Sequence, residues 1–241
     1  MRSIFFFLLL IAASVANAQT NNKIKLDENT VVTDSAGTVY PYAIWAKLLA
    51  TGEYSIKLNK NNTQNGFVLV RLTDEQIRKK EESAPKPKES AYFKTGSSFP
   101  NFKLKDIKGN TYNLKELKGK IVVLNFWFIN CSPCRMEIPQ LNKAVQEYRG
   151  DDVVFIAVAL DEFAELENFL KTTFFSYNII DDGRWFAQKN GVTSFPTHVV
   201  INKEGRIVYH TSGLSAGTVP WLKKTINEEL KNKQEDAEKI N

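Results

Sequence analysis

Apolar positions along this chain form runs and spacings whose character changes near residue 90. After an unbroken apolar stretch from Ile4 to Ala13, the chain up to about Lys80 holds Thr30-Val31-Val32, a turn at Asp34-Ser35-Ala36-Gly37, and Thr38-Val39-Tyr40. An apolar stretch from Ala43 to Ala50 and the run Gly66 to Leu72 follow. Short runs bounded by turn residues predict a few strands with one helix. From Asp74 to Ser90 the sequence reads DEQIRKKEESAPKPKES, with alternating charge, two prolines and no large apolar residue after Ile77. This composition predicts a linker, centred on residues 81–90, between a small domain (19–80) and a larger one (91–241).

The second domain has a clearer rhythm. Phe102 to Leu104 and Thr111 to Leu114, joined through Lys108-Gly109-Asn110, predict a hairpin. The runs Ile121 to Phe128 and Val153 to Leu160 have the continuous apolarity of strands buried on both faces. Helical spacing connects Leu141, Val145 and Tyr148, then Phe163, Leu166 and Leu170, and finally Leu222, Ile226 and Leu230. Thr197 to Ile201 and Arg206 to His210 predict a second hairpin through Asn202-Lys203-Glu204-Gly205, and Lys231 to Asn241 a polar tail. The order βαβαββα implies an α/β fold with a mixed central sheet covered on both faces. The first segment is long enough for only a marginal core and shows no catalytic constellation, and its role is not legible from the sequence.

Composition narrows the class. With 43% apolar and 24% charged residues in 241, the chain is globular rather than disordered or fibrous. The net charge of +5 is spread without an arginine-rich block, so nucleic-acid binding is not expected. Arg2, the ten-residue apolar run and Ala16-Asn17-Ala18 form a secretory signal, with cleavage expected after Ala18. That run is half of the ~20 residues a spanning helix needs. The expectation is an exported protein without a membrane span after cleavage, placed in the periplasm or cell envelope if the source is bacterial.

Candidate chemistry converges on the two cysteines of the chain, in Cys131-Ser132-Pro133-Cys134, directly after a buried strand and at the start of a helix. Unpaired N–H groups and the positive end of the macrodipole stabilise a thiolate there. Pro133 fits the first turn, where an absent N–H costs nothing. Cys131 is thus expected to be an exposed, acidic nucleophile and Cys134, one turn further in, a shielded resolving thiol. Two other readings remain open. A structural disulfide closing so short a loop would restrict the unfolded chain by only about 2 kcal/mol. A zinc or copper site would have to draw on His198 and His210, the only histidines.

The stretch Val122-Val123-Leu124-Asn125-Phe126-Trp127-Phe128-Ile129-Asn130-Cys131-Ser132-Pro133-Cys134-Arg135-Met136-Glu137-Ile138-Pro139 resembles the active-site strand and helix of the thioredoxin superfamily, in particular the exported TlpA/ResA-like thiol-disulfide oxidoreductases. The resemblance spans about Ser98 to Lys231. Gly191-Val192-Thr193-Ser194-Phe195-Pro196-Thr197 is similar to the segment carrying the family's cis-proline, and Pro139 stands where those helices kink.

The resemblance implies a thioredoxin-like fold and a redox-active disulfide, Cys131–Cys134, with no other cofactor and no metal. It implies protein disulfides as substrates and a membrane thiol reductase as electron donor. Pro196 would join the catalytic residues, while Phe195, Ser132 and Pro133 would meet the substrate. Two departures stand out. Classical thioredoxins carry an aspartate on the active-site strand where this chain has Asn125, which cannot exchange a proton in the useful range. Glu137, three residues after Cys134 and so on the same helical face, is the candidate replacement. Asn130 stands where the family usually has tryptophan, which bears on substrate shape and redox potential. His198 reads as a polar strand residue, and Trp127 and Trp185 as core. The rival readings are a thiol peroxidase of peroxiredoxin type, which would want threonine at the position of Phe128, and a non-catalytic binding module on a thioredoxin scaffold.

Overall fold

The computed structural model describes residues 26–59 and 66–238. The signal sequence expected over residues 1–18 lies outside the described residues.

The first unit is a four-stranded sheet with one helix against it. Strands β1 (Val32–Thr33) and β2 (Val39–Tyr40) close a hairpin in which Asp34 Oδ1 accepts the N–H groups of Ala36 and Thr38. Helix α1 (Tyr42–Ala50) and strands β3 (Tyr54–Leu58) and β4 (Phe67–Arg71) follow, in sheet order β2-β1-β4-β3. Its core is small, centred on Val32, Trp45 and Leu69.

The segment expected to hold the linker has defined structure along its length. Its first half is helix α2 (Asp74–Glu82), started by a reciprocal capping box between Thr73 and Gln76. Acidic Asp74 and Glu75 occupy the first turn and basic Lys79 and Lys80 the last, which suits the macrodipole. Charge spacing, not an apolar face, marks this helix, and that is why it reads as solvated linker. The second half is pinned along the larger domain. Trp221 Nε1 donates to the Ala84 carbonyl (2.9 Å), Thr211 Oγ1 donates to the Lys88 carbonyl (2.8 Å), and Ser90 N–H donates to His210 Nδ1 (3.1 Å). Ser83 to Ser90 is therefore a strap with fixed partners.

In the larger domain a hairpin, β5 (Lys103–Lys105) and β6 (Thr111–Asn113), precedes the main sheet. The succession is β7 (Ile121–Trp127), α3 (Ser132–Glu147), β8 (Val153–Ala159), α4 (Phe163–Leu170), β9 (Asn178–Ile180), α5 (Arg184–Lys189), β10 (Thr197–Ile201), β11 (Ile207–Ser212) and α6 (Thr218–Glu238). The sheet order is β11-β10-β7-β8-β9. β7, β8 and β9 run parallel, while β10 is antiparallel to β7 and β11 to β10. This is the mixed, doubly covered sheet expected from the apolar pattern. β9 and α5 are additional: three and six residues are too short to display a period. α6 continues to Glu238, where a polar tail was expected from Lys231.

Every residue of β7 is buried. Ile121, Val123 and Trp127 pack with Ile138 and Leu141 of α3 and Leu222 and Ile226 of α6. Val122, Leu124 and Phe126 face the opposite core, with Phe99, Phe102 and Phe186. Trp185 is a further correction. It is 65% exposed, with Lys189 Nζ 4.9 Å from its ring centroid, while the neighbouring Phe186 takes the core position. The two units are joined through α3 and α6. Gln140 Nε2 donates to the Ala50 carbonyl (3.1 Å), Lys143 Nζ to the Thr51 carbonyl (2.8 Å) and Glu53 (2.7 Å), and Lys223 Nζ to both Glu81 and Glu147. Among the described residues, no helix is long and apolar enough to cross a membrane.

Candidate active site

β7 delivers the chain to the N-terminus of α3 through Phe128, Ile129 and Asn130. Cys131 is the N-cap of that helix, and its Sγ accepts the Cys134 N–H at 3.2 Å. Pro133 lies within the first turn. The two cysteines form a disulfide. The sequence suggested an exposed Cys131, but in this disulfide form it is 4% exposed against 1% for Cys134. The disulfide has its neighbours in the first turns of α3. Those neighbours are open: Ser132, Pro133 and Arg135 are exposed, and Met136 is 49% exposed.

The Phe195–Pro196 peptide bond is cis. Phe195 is half-buried and meets Phe128 edge-on, with centroids 5.4 Å apart, so the segment before β10 lies against the loop that leads into Cys131. Gly213 N–H donates to the Pro196 carbonyl (2.8 Å), tying this segment to the end of β11.

Asp161 was not singled out by the sequence. It follows β8, beside the end of β7, and its Oδ2 accepts the Ile129 N–H at 2.7 Å, two residues before Cys131. Burial pushes its carboxyl up, against the opposing effect of that N–H. The only sequence signal was its place just beyond the carboxyl end of a parallel strand, where sites of α/β sheets gather.

Glu137 and Cys134 share the buried face of α3, and Glu137 is 1% exposed. Its Oε1 lies 2.7 Å from Nε2 of His198, which is fully buried on β10. Thus the structure brings His198, read as an ordinary strand residue, into direct contact with a candidate site residue. Around the pair stand Asn125, Tyr177 and Tyr209. Burial first, and then the Glu137 charge, pushes the phenols of Tyr177 and Tyr209 well above their ordinary value. Glu137 Oε2, His198 Nδ1, Asn125 Oδ1, Tyr177 Oη and Trp127 Nε1 are buried without a hydrogen-bond partner. Among the described residues, no group of three or more His, Cys, Asp or Glu is arranged to hold a metal ion.

A dithiol at a helix N-terminus, its inner sulfur on the same helical face as a buried carboxyl, is equipped for thiol-disulfide exchange. Comparison with known proteins agrees. The model of the AhpC/TSA family matches residues 95–210. The chain is 35% identical over 139 residues to the thiol-disulfide oxidoreductase ResA of Halalkalibacterium halodurans, covering 56% of this chain and 79% of that protein. It is 34% identical over 120 residues to ResA of Bacillus subtilis, covering 49% and 67% respectively. A crystal structure from Chlorobium tepidum, described as a thiol:disulfide interchange protein DsbE, superposes with a TM-score of 0.53 at 25% identity, covering 57% of this chain and 99% of that one. With its thioredoxin-like fold, the chain belongs to the ResA-like thiol-disulfide oxidoreductases.

Proposed function

We propose that the protein is exported and reduces disulfide bonds of protein substrates through Cys131 and Cys134. The Cys131 thiolate attacks a substrate disulfide, forming a mixed disulfide and releasing one substrate sulfur as thiolate. Cys134 then loses its proton, attacks Cys131 Sγ, forms the Cys131–Cys134 bond and releases the second substrate sulfur. Two electrons pass from the enzyme dithiol to the substrate, which leaves as two thiols. The observation that carries this order is the position of the sulfurs: Cys131 caps α3, where N–H groups favour thiolate, and Cys134 lies one turn deeper.

Glu137 is the base for the Cys134 proton, because it is the buried carboxyl on that face of α3. Phe195, whose ring meets Phe128 on the loop into Cys131, and the buried Pro196 after it form, with exposed Ser132 and Pro133, the surface the substrate meets. Re-reduction falls to a membrane thiol reductase, and export to the signal in residues 1–18.

The test is turnover on insulin disulfides with dithiothreitol as reductant, set beside consumption of hydrogen peroxide under the same conditions. Insulin reduction without peroxide turnover is expected. Peroxide consumption alone would assign the dithiol to a peroxidase, and neither activity would leave a binding module.

A further inference from the structure

Glu137 and His198 come from different elements, are 1% and 0% exposed, and meet at 2.7 Å. Among the described residues, His198 is the sole hydrogen-bond partner of the Glu137 carboxyl; no lysine or arginine bonds to the pair. The groups facing it are Cys134 from its own helix, Asn125 of β7 and Thr211 of β11 opposite His198 in the ladders, Tyr177 ahead of β9 and Tyr209 of β11. Tyr209 is already committed as donor to the Thr218 carbonyl. A buried carboxylate needs compensation, and here one imidazole supplies it.

A contact this short requires a proton between Oε1 and Nε2, which Nε2 holds while the pair carries no other. Carrying that proton alone, the pair has a net charge of −1. A second proton makes it neutral overall, as carboxylate with imidazolium or as carboxylic acid with imidazole. Uptake of one proton therefore discharges the site, and the proton belongs to the pair rather than to either residue.

We propose that His198 is a positioning residue of the exchange reaction: its imidazole holds Glu137 through the Nε2 to Oε1 contact and shares the proton that Glu137 takes from the Cys134 thiol. The proposal rests on the reading of Glu137 as base. In the resolving step the Cys134 S–H breaks, its proton passes to the Glu137–His198 pair, the Cys134–Cys131 bond forms, and the bond from Cys131 to the substrate sulfur breaks. The electron pair leaves with the substrate thiolate, and the pair returns its proton to solvent.

The experiment mixes the reduced full-length protein with dithiobis-nitrobenzoate and follows thionitrobenzoate release with time. The first release reports attack by Cys131, and the second reports resolution by Cys134. His198→Leu is expected to slow the second release by about tenfold or more, while leaving the first within about twofold. His198→Gln retains an N–H near Nε2 but cannot take the proton. It is expected to restore part of the rate with a pH profile reduced to a single titration, and it decides the matter should the leucine variant fail to fold. Combined with Glu137→Gln, either substitution is expected to add no further slowing, since both act on one proton. Wild-type rate and pH profile in both His198 variants, or full multiplication of the two effects, would overturn the proposal while leaving Glu137 as base. An unchanged second release in Glu137→Gln alone would remove the base and the His198 role together.

Discussion

His198 stands directly opposite Asn125 in the ladder between β10 and β7, on the sheet face that α3 covers. The strand position that cannot exchange a proton is thus flanked by one that can, and Glu137 reaches it from the helix. Glu137→Gln keeps the shape and removes titration. It is expected to slow disulfide turnover by about tenfold to a thousandfold, within or below the ~10²–10⁴ typical of a general base. Steady-state insulin reduction measured across pH checks this; unchanged turnover and pH profile would return the proton to water.

A second expectation concerns the two thiols. After reduction the Cys131–Cys134 constraint is gone, and the Cys131 sulfur can turn toward the open side formed by Ser132, Pro133 and Met136. Cys131 should therefore be alkylated by iodoacetamide faster than Cys134 by about tenfold or more, because it is nearer solvent and nearer the helix N-terminus. Peptide mapping after timed quenching reads the ratio. Equal rates would contradict the assignment of roles.

The strap from Ser83 to Ser90 gives a third. A Cβ added at Gly217 would collide with the Pro85 carbonyl oxygen, so Gly217→Ala must push the strap away from α6. A loss of about 1–3 kcal/mol is expected from this overpacking. In the same way, removing residues 1–90 deletes three hydrogen bonds of the strap backbone, with the side-chain bonds of Ser90 and Glu89 beside them, that removing residues 1–82 preserves. The shorter chain should be less stable by about 2–4 kcal/mol, at about 1 kcal/mol per bond. Denaturant unfolding of the two truncations measures the difference, and equal stability would make the strap incidental.

His210 supplies a pH dependence. Burial lowers its pKa from the ordinary 6.5; Glu89 opposes this and Lys86 adds to it. The Ser90 N–H also needs an unprotonated Nδ1 as acceptor. The folded state therefore prefers neutral His210. Its contribution is complete above the ordinary value, declines as pH falls below 6.5 because the unfolded chain takes the proton first, and is exhausted below the lowered folded value. His210→Asn retains an acceptor near Nδ1 and does not titrate. Its melting temperature should fall less than that of the unaltered protein as pH drops from about 7 to 5. Parallel curves would exclude the effect.

Much of the larger domain was legible because its strands are long and continuously apolar: β7 and β8 announce themselves, and the cysteines follow from their place after β7. What escaped was of two physical kinds. α2 is held by caps and alternating charge with no apolar stripe, so its pattern equals that of a solvated linker. The contacts of Glu137 with His198 and of Asp161 with Ile129 join residues 61 and 32 positions apart, and no local spacing encodes such a meeting. Trp185 failed for a related reason, since size alone does not reveal which of two adjacent aromatic residues on a short helix turns inward.

The exchange reaction turns on which sulfur attacks. The most direct measurement incubates reduced Cys134→Ser and Cys131→Ser proteins with a disulfide-bonded peptide and maps covalent adducts by mass spectrometry. Cys134→Ser should accumulate a mixed disulfide on Cys131 and fail to release it, whereas Cys131→Ser should remain unmodified and reduce nothing. A stable adduct on Cys134 in the Cys131→Ser protein, or sustained reduction of the peptide by either variant, would contradict the mechanism.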